Sequence, residues 1–189
     1  ILRCLVGSEM CIRDRGVMDS DSNQSIRAEM LARADLVSAI RLPNNLFTEN
    51  ANTEVGSDLI VLQKNSNKRE PTEDELRFIS SRIDPLSGVR TNDYFSRHSS
   101  RIIFTEYKTD TDPYGKPARV FTHSGGVEGI ASDLYKYLSD DCSKRLDLQH
   151  FKGIKTGEQQ ERPQSVSVKP NVEPVSYTHL RAHETSQDL

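Results

Sequence analysis

The spacing of apolar residues near the start of the chain predicts a helix followed by a strand. Apolar side chains recur every three or four residues over 23–34, which is typical of a helix with one buried face. Ser22 or Asn23 can cap the start of this helix. An apolar run over 36–42 then predicts a strand, which Pro43 ends because proline has no N–H to donate to a sheet. The residues expected on the buried side of the helix are Ile26, Met30, Leu31 and Ala34.

A second strand is predicted after a polar loop. Residues 58–63 are aliphatic on both faces of an extended chain, which indicates a strand in the centre of a sheet. The loop between the strands begins with Asn44 and Asn45 and carries one apolar pair, Leu46 and Phe47. This pair is the only apolar feature of an otherwise polar turn, so it is a candidate for either packing or binding.

A second helix is predicted from its cap. Thr72 and Glu75 form a capping box after a charged connector over 65–70, and this signature predicts a helix over 73–82. The apolar side of that helix is expected to carry Leu76, Ile79 and Ile83. Proline and glycine over 84–88 break the pattern.

The second half of the chain predicts a hairpin and a long helix. Residues 101–108 and 118–123 read as two strands joined by a turn over 110–115, where proline and glycine supply the turn chemistry. A helix is expected over 127–146, and from residue 153 onward the polar composition without periodicity indicates a linker or a disordered tail. The buried side of the long helix is expected to carry Ile130, Leu134, Leu138 and Cys142.

Composition narrows the class of protein. The chain has 189 residues, with 25 lysines and arginines against 28 acidic residues, so its net charge of -3 excludes a strongly basic nucleic-acid-binding protein. No apolar run is long enough to predict a membrane-spanning helix. Because only 34% of the residues are hydrophobic, part of the chain is expected to lie outside a packed core.

The two ends of the chain have the character of DNA adapters. Residues 9–15 read EMCIRDR and residues 174–180 read PVSYTHL, and codons exist that make the two strings reverse complements of each other. Two ends of a natural protein have no reason to encode opposite strands of one duplex, and the shared string resembles the mosaic end of a transposase adapter. We therefore interpret 1–15 and 175–189 as adapter-like scars that pack poorly, and expect the natural reading frame to continue on both sides.

Setting the ends aside changes the metal and redox interpretation. Cys142 is then the only cysteine, so no disulfide framework is expected, and a reducing, cytoplasmic location fits. His179 and His183, followed by Glu184, imitate a zinc-binding pair on one helix face. Since this motif falls inside an adapter-like end, no metal site is predicted.

Residues 36–64, LVSAIRLPNNLFTENANTEVGSDLIVLQK, carry a family resemblance. This run is similar to the stretch of adenine-specific DNA methyltransferases that follows their Asn-Pro-Pro-aromatic catalytic motif. Residues 16–27 resemble the segment entering the preceding helix. Residues 92–151 resemble the downstream region of large methylase-helicase proteins carried by mobile elements of gut bacteria. Together these segments cover most of 16–151.

The resemblance implies an α/β fold and a methylation reaction. It implies a doubly wound sheet that binds S-adenosylmethionine and methylates the amino group of adenine, with the two predicted strands as the antiparallel pair that closes the sheet. The family's glycine-rich cofactor turn and its Asn-Pro-Pro-aromatic motif do not occur in this sequence. We therefore expect a fragment that contributes the substrate side of the catalytic domain, is inactive alone, and lacks a cofactor site.

The domain organisation and the partners follow from the same resemblance. The expected partners are DNA, through the parent enzyme, and the remaining methyltransferase and helicase domains of the same polypeptide, with no membrane. The expected segments are the catalytic-domain part over 16–64, a connector with a helix over 65–91, an α+β extension over 92–151, and a linker over 152–174.

The candidate substrate-binding residues lie in the loop after the first strand. Phe47 matches the position at which the family's loop supplies an aromatic that stacks on the extruded base, and the alternative is that Phe47 fills the core below the turn. Asn44 and Asn45 either hydrogen-bond to nucleic acid or cap the turn. The sequence leaves both pairs of alternatives open.

Other polar residues give weaker signals. His98, His123 and His150 lie on separate elements without ligand spacing, so they are expected to be ordinary structural or solvated histidines. Residues 124–126 precede a helix and would either bind phosphate or form a plain cap. Charged side chains of the connector would either contact a DNA backbone or remain in solvent, and these are Lys64, Lys68 and Arg69.

A second hypothesis belongs to another functional class. The region after residue 90 would be a non-catalytic docking or DNA-contacting module that links a methylase to a helicase. An Asn-Pro-Pro-aromatic motif upstream in the natural reading frame would favour the methyltransferase hypothesis. A segment over 90–150 that folds independently would favour the docking module.

Overall fold

The computed structural model describes residues 8–48, 52, 54–111 and 115–149. All of these lie in the first of two structural units, residues 1–158. The expected linker and the C-terminal adapter-like end lie outside the described residues, as do His150, His179 and His183. In the described part, no helix is long and apolar enough to cross a membrane.

A three-stranded antiparallel sheet forms the centre of the described part. Its strands are β1 (Ser8–Asp14), β2 (Ala34–Leu42) and β3 (Ser57–Lys64), in the order β1-β3-β2. β3 therefore lies between two strands, as its aliphatic faces predict. β2 and β3 pair antiparallel from Ala34 opposite Lys64 to Leu42 opposite Ser57, which confirms the predicted antiparallel pair.

β1 contradicts the expectation that residues 1–15 pack poorly. Ser8–Asp14 pairs with the whole of β3, from Ser8 opposite Gln63 to Asp14 opposite Ser57. The expectation is wrong for residues 8–15 because a sheet edge binds a strand through backbone N–H and C=O groups, which any extended segment supplies. Residues 1–7 lie outside the described part.

Three of the four residues predicted on the buried side of the helix after β1 pack against the core, Leu31 being buried and Met30 and Ala34 partly buried, while Ile26 is the exception. Gly16–Asp19 forms α1, a short 3₁₀ turn follows, and α2 is Gln24–Ala32. Ile26 is 49% exposed, whereas Arg27 is completely buried. The Arg27 guanidinium donates to the carbonyls of Val17, Ser20 and Ile79 at 2.7–3.0 Å, so its burial is fully compensated by hydrogen bonds.

The capping box is present, but its helix is shorter than predicted. The helix is α3, Glu73–Ile79, and Ser81–Ile83 already forms the strand β4. β4 pairs with β5 (Arg90–Asn92) across a tight turn in which Gly88 adopts a φ of 67°. The helix ends early because the chain turns into this hairpin, and Leu76 and Ile83 are therefore exposed rather than buried.

Glu75 joins α3 to the sheet in addition to capping the helix. Its buried carboxylate accepts hydrogen bonds from the Thr72 amide at 2.8 Å, from the Leu36 amide at 2.8 Å and from the Lys68 ammonium at 2.6 Å. Burial raises the pKa of Glu75, but these three hydrogen bonds outweigh it and lower the pKa below its ordinary value. The capping residue therefore also fixes the connector against β2.

The second half contains a short helix, a hairpin and the long helix. The additional helix is α4, Asp93–Arg97, which the sequence analysis missed. The hairpin strands are β6 (Glu106–Thr111) and β7 (Pro117–Thr122), so the first strand begins five residues later than predicted. α5 spans Gly126–Arg145, within one residue of its predicted limits.

Apolar side chains cover both faces of the β2–β3 pair. One cluster combines sheet residues such as Ile60 with Met18, Phe78, Tyr94 and Phe95 from α1, α3 and α4. The other combines Ile40, Leu42 and Leu59 with Ile103 and with Ile130 of α5. The architecture is thus mixed α/β, as expected. Because the region after residue 90 contributes to both clusters, it does not form a core separate from the sheet, which disfavours an independently folding module.

Candidate functional site

The loop after β2 is held in one conformation by its neighbours. Pro43 ends the strand, and Asn44–Phe47 forms a 3₁₀ turn at the end of the sheet where β2 and β3 meet. The side chain of Leu46 packs against the α5 side of the sheet. The turn is therefore anchored by the strand end on one side and by the second apolar cluster on the other.

Asn44 fastens the turn to the β6–β7 hairpin. Its side-chain oxygen accepts hydrogen bonds from the Phe121 amide at 3.1 Å and from the Arg15 guanidinium at 2.9 Å. Its backbone carbonyl accepts from the Val55 amide at 3.1 Å, which closes the loop on itself. Asn44 is buried, and its side-chain oxygen bonds to the hairpin and to Arg15 and does not cap the turn itself.

Asn45 makes a two-point contact with the same hairpin. Its side-chain amide donates to the His123 carbonyl at 3.0 Å, and its side-chain oxygen accepts from the His123 amide at 3.0 Å. The side chain thus pairs with the backbone of one residue in the way that one strand pairs with another. The polar ends of both asparagines hold the turn, and their partners are 77 and 78 residues away.

Phe47 ends the turn in a half-buried position. It does not belong to either of the two apolar clusters described above, although its neighbour Leu46 packs against one of them. A phenylalanine that fills a core is normally completely enclosed. The Phe47 side chain is therefore neither fully enclosed nor fully exposed.

A buried ionic network lies beneath the ends of β2 and β3. Arg41 and Asp58 face each other across the two strands, and the guanidinium donates to both carboxylate oxygens at 2.8 and 3.0 Å. The same guanidinium donates to Asp19 at 2.8 Å and lies 4.3 Å from the centre of the Phe95 ring. The sequence signal for this pair is a cation near the end of β2 and an anion near the start of β3, each beside an aliphatic run.

Burial and the neighbouring charges act on the pKa values of Arg41 and Asp58 in opposite directions. Burial tends to lower the pKa of Arg41, but Asp19 and Asp58 outweigh burial and raise it. Burial raises the pKa of Asp58, with Arg41 opposing the shift. The strand ends that carry the candidate turn are therefore joined by charge-assisted hydrogen bonds, which favour a single register between them.

Arg15 fills the space between the turn and the hairpin. Its guanidinium donates to Asn44 and to the carbonyl of Arg119, and it lies 5.3 Å from the centre of the Phe121 ring. Burial, reinforced by the nearby charge of Arg41, lowers the pKa of Arg15 to about 10. The segment interpreted as an adapter scar thus contributes a side chain to the candidate site.

The histidines within the described residues have structural partners. The Nδ1 atom of buried His123 accepts a hydrogen bond from the Gly125 amide at 3.1 Å, and its Nε2 lies 3.4 Å from Asp133. His98 contacts Asp74 at 2.8 Å. No group of three or more potential metal-ligating side chains occurs in the described part of the chain. These positions agree with the structural role expected for both histidines.

The phosphate-binding alternatives are weakened by internal contacts. The Ser124 amide donates to the Thr105 hydroxyl at 2.9 Å, and the Gly125 amide donates to His123, so two of the three amides at 124–126 already have acceptors. The Lys68 side chain is enclosed by its contacts with Glu75 and with the Ala34 carbonyl, so it is neither in solvent nor free for a DNA backbone in this structure. Lys64 and Arg69 are exposed.

The sequence analysis also missed a polar cleft between the two hairpins. The cleft has a volume of about 400 Å³, and Phe95 and Ile102 form its apolar part. Its polar lining consists of Arg82, Asp84, Thr91, Ser96, Ser99 and Arg119. All of the lining residues except Arg119 lie within 82–102, and Arg119 of β7 completes the cleft from the other hairpin.

The described residues do not fit the cofactor that the resemblance implies. A nucleotide-type cofactor in a doubly wound fold binds at a glycine-rich turn after a parallel strand. Over the described ranges, all pairs of strands are antiparallel. The cleft presents two guanidinium groups, which would repel the positively charged sulfonium of S-adenosylmethionine.

A comparison with protein families identifies the relatives of this chain. The family model described as N-6 DNA Methylase matches residues 7–139, which is more than half of the chain and includes the candidate turn, the cleft and most of α5. Neither curated proteins nor solved structures give a match. Enzymes of this family generally use S-adenosylmethionine, and their substrate is DNA. The chain belongs to the N-6 DNA methylase family.

Proposed function

We propose that this chain forms the substrate-facing edge of an adenine-specific DNA methyltransferase and that other residues of the parent enzyme supply the cofactor and catalytic groups. The observation that supports the proposal is the turn after β2, which two asparagines fix against the β6–β7 hairpin while Phe47 remains half-buried at its end. A rigid turn that keeps one aromatic side chain partly exposed is suited to contact with a flat ligand.

The physical role of this edge is to receive the target base. An adenine must leave the duplex before its amino group can react, which costs a few kcal/mol, and stacking on an aromatic side chain returns about 1 to 3 kcal/mol. We infer that Phe47 provides this stacking surface. Asn44 and Asn45 then act as positioning residues, because their side chains hold the turn that presents Phe47.

The remaining sheet of the parent would attach to β3. In a doubly wound fold, β2 and β3 are the antiparallel pair that closes the sheet, and the next strand would pair with the free edge of β3. β1 occupies that edge in this chain. We infer that the adapter-like residues take the place of a natural strand, and this interpretation rests on the existence of codons that make residues 9–15 and 174–180 reverse complements of each other.

The wider context of the proposal comes from the sequence resemblance of residues 92–151. It supports a cytoplasmic methylase-helicase type of parent from a bacterial mobile element, with DNA as substrate and with S-adenosylmethionine bound by the residues upstream. The same resemblance supports the segment limits given above, namely 16–64, 65–91, 92–151 and 152–174.

Two measurements test this proposal. Calorimetric titration of the 189-residue chain with S-adenosylmethionine should show no binding, and the chain alone should transfer no methyl group to DNA. When the natural upstream reading frame is joined to residue 16, adenine methylation should appear and should fall after Phe47→Ala. Micromolar cofactor binding by the chain alone, or methylation of cytosine instead of adenine by the joined enzyme, would contradict the proposal.

A further inference from the structure

We propose that the cleft and the neighbouring aromatic face of the β6–β7 hairpin bind an unpaired stretch of DNA, with Arg82 and Arg119 contacting phosphates and Tyr107 stacking on a base. The inference deepens the proposed function and rests on it, because it takes DNA as the substrate. It adds a binding surface that is separate from the turn carrying Phe47.

The cleft offers donors for a phosphate group. Arg82 and Arg119 enter it from opposite hairpins, and each pairs with one carboxylate, Asp93 and Asp84 respectively. A guanidinium has five N–H donors, so one carboxylate contact leaves others for a second anion. Hydroxyl groups of Thr91, Ser96 and Ser99 also line the cleft. Guanidinium groups and hydroxyl groups are common hydrogen-bond donors to the phosphates of a nucleic-acid backbone.

An aromatic surface lies on the same face of the hairpin as Arg119. Alternate residues of a strand share a face, so Arg119 and Phe121 point to the same side, and Tyr107 is the direct cross-strand partner of Phe121. The rings of Phe104 and Tyr107 lie 5.3 and 6.2 Å from the Phe121 ring. Phe121 is buried, whereas Tyr107 is 62% exposed, so the tyrosine ring lies beside a buried aromatic ring and is open to solvent.

This combination selects an unpaired strand. Stacking on an exposed ring requires a base whose face is free, and bases inside a duplex are already stacked on their neighbours. The hairpin is also the element to which Asn44 and Asn45 fasten the candidate turn, so the surface adjoins the point at which the target base is proposed to bind.

The test measures binding of a fluorescein-labelled single-stranded oligonucleotide to the full chain by fluorescence anisotropy at several salt concentrations. Tyr107→Ala should raise Kd about 5-fold or more, within the range expected for loss of one stacking contact. The double variant Arg82→Gln/Arg119→Gln should weaken binding and reduce the slope of log Kd against log salt by about 1.4, since each phosphate contact on a single strand contributes about 0.7. A duplex of the same sequence should bind more weakly than the single strand.

Matched controls exist on other surfaces of the same chain. Tyr135 on α5 is 76% exposed, so Tyr135→Ala removes an equally accessible ring. The Arg77 side chain is 35% exposed and paired with Glu73, which resembles Arg119 paired with Asp84, so Arg77→Gln is the control for charge. Neither control should change Kd by more than about 2-fold, and circular dichroism should show every variant to be folded. The conservative variant Tyr107→Phe should bind like the original chain.

Three results would overturn the inference: no binding of the single strand, equal effects of the test and control variants, or displacement of the strand by millimolar inorganic phosphate at constant ionic strength. The last result would show that the cleft holds a free anion. Failure of the proposed function is distinguishable, because it would appear as absent adenine methylation by the joined enzyme. Strand binding that responds to Tyr107 and the two arginines would support the surface even then.

Discussion

Replacing Arg41 by methionine tests whether the buried ionic network holds the strand ends together. Arg41 is 2% exposed and Asp58 is fully buried, and three hydrogen bonds of 2.8–3.0 Å connect the guanidinium to Asp58 and Asp19. Methionine keeps much of the side-chain length and can still pack on the Phe95 ring. The substitution therefore removes the charge and the donors while changing the packing as little as possible.

The expected loss is large because a buried carboxylate would be left without its cation. Breaking a buried ion pair by removing one partner typically costs about 3 to 5 kcal/mol of unfolding free energy. Replacing both partners, in Arg41→Met/Asp58→Leu, should recover most of this loss, since a buried pair exchanged for apolar residues of similar volume is often neutral. In the single variant the loss should also shrink at lower pH, because protonation of Asp58 removes the unpaired charge.

Urea denaturation followed by far-ultraviolet circular dichroism measures these free energies. The control is Arg77→Met, which breaks an exposed pair with Glu73 and should cost no more than about 1 kcal/mol. The reasoning fails if Arg41→Met costs as little as the control. It fails equally if the double variant is as unstable as the single variant, because the loss would then come from packing and not from the unpaired charge.

Three further predictions concern the turn, the capping box and α5. Phe47→Ala should lower methylation by the joined enzyme about 5- to 150-fold, which corresponds to about 1 to 3 kcal/mol. It should destabilise the chain clearly less than Phe78→Ala, which truncates a fully buried ring and should cost about 3 to 5 kcal/mol of unfolding free energy. Equal destabilisation by the two variants would assign Phe47 to the core. The pKa of Glu75 is lowered in the folded chain. Its contribution to stability should therefore be present above its unfolded pKa of about 4.3 and be lost as pH falls through the folded value. Glu75→Gln should reduce this pH dependence in denaturation curves. Gly129→Ala should destabilise the chain by about 1 to 3 kcal/mol, since the new Cβ would lie 2.6 Å from the His123 ring. In a His123→Ala background the same change should instead stabilise α5 by up to about 1 kcal/mol. If Gly129→Ala lowers the thermal unfolding temperature in both backgrounds, this reasoning is contradicted.

The predictable parts of the fold are those whose signal is local. The aliphatic runs of β2 and β3, the capping box of α3 and the apolar periodicity of α5 each specify an element from neighbouring residues alone. The failures have tertiary causes. Arg27 is buried because carbonyl groups at the end of α1 and at the end of α3 accept its hydrogen bonds, and α4 is too short for a periodic signal.

The candidate site was predictable only in part for the same reason. The position of the turn follows from Pro43 and the strand before it, but neither alternative for the two asparagines included a contact with the hairpin. What holds the turn is a contact with Phe121 and His123, which lie far along the chain, so the roles of Asn44 and Asn45 could not be read from their neighbours. The cleft depends on Arg82 and Arg119 meeting across two hairpins, and no sequence spacing encodes that distance.

The pairing of β1 with β3 has a practical consequence for handling the protein. β3 is a long, aliphatic strand, and without β1 its N–H and C=O groups would form an open edge that attracts any extended segment, including the same strand of a second molecule. A chain shortened to begin at Gly16 should therefore aggregate or dimerise, as light scattering would show. Residues 8–14, whatever their origin, thus cover the edge of β3 and keep it from pairing with other molecules.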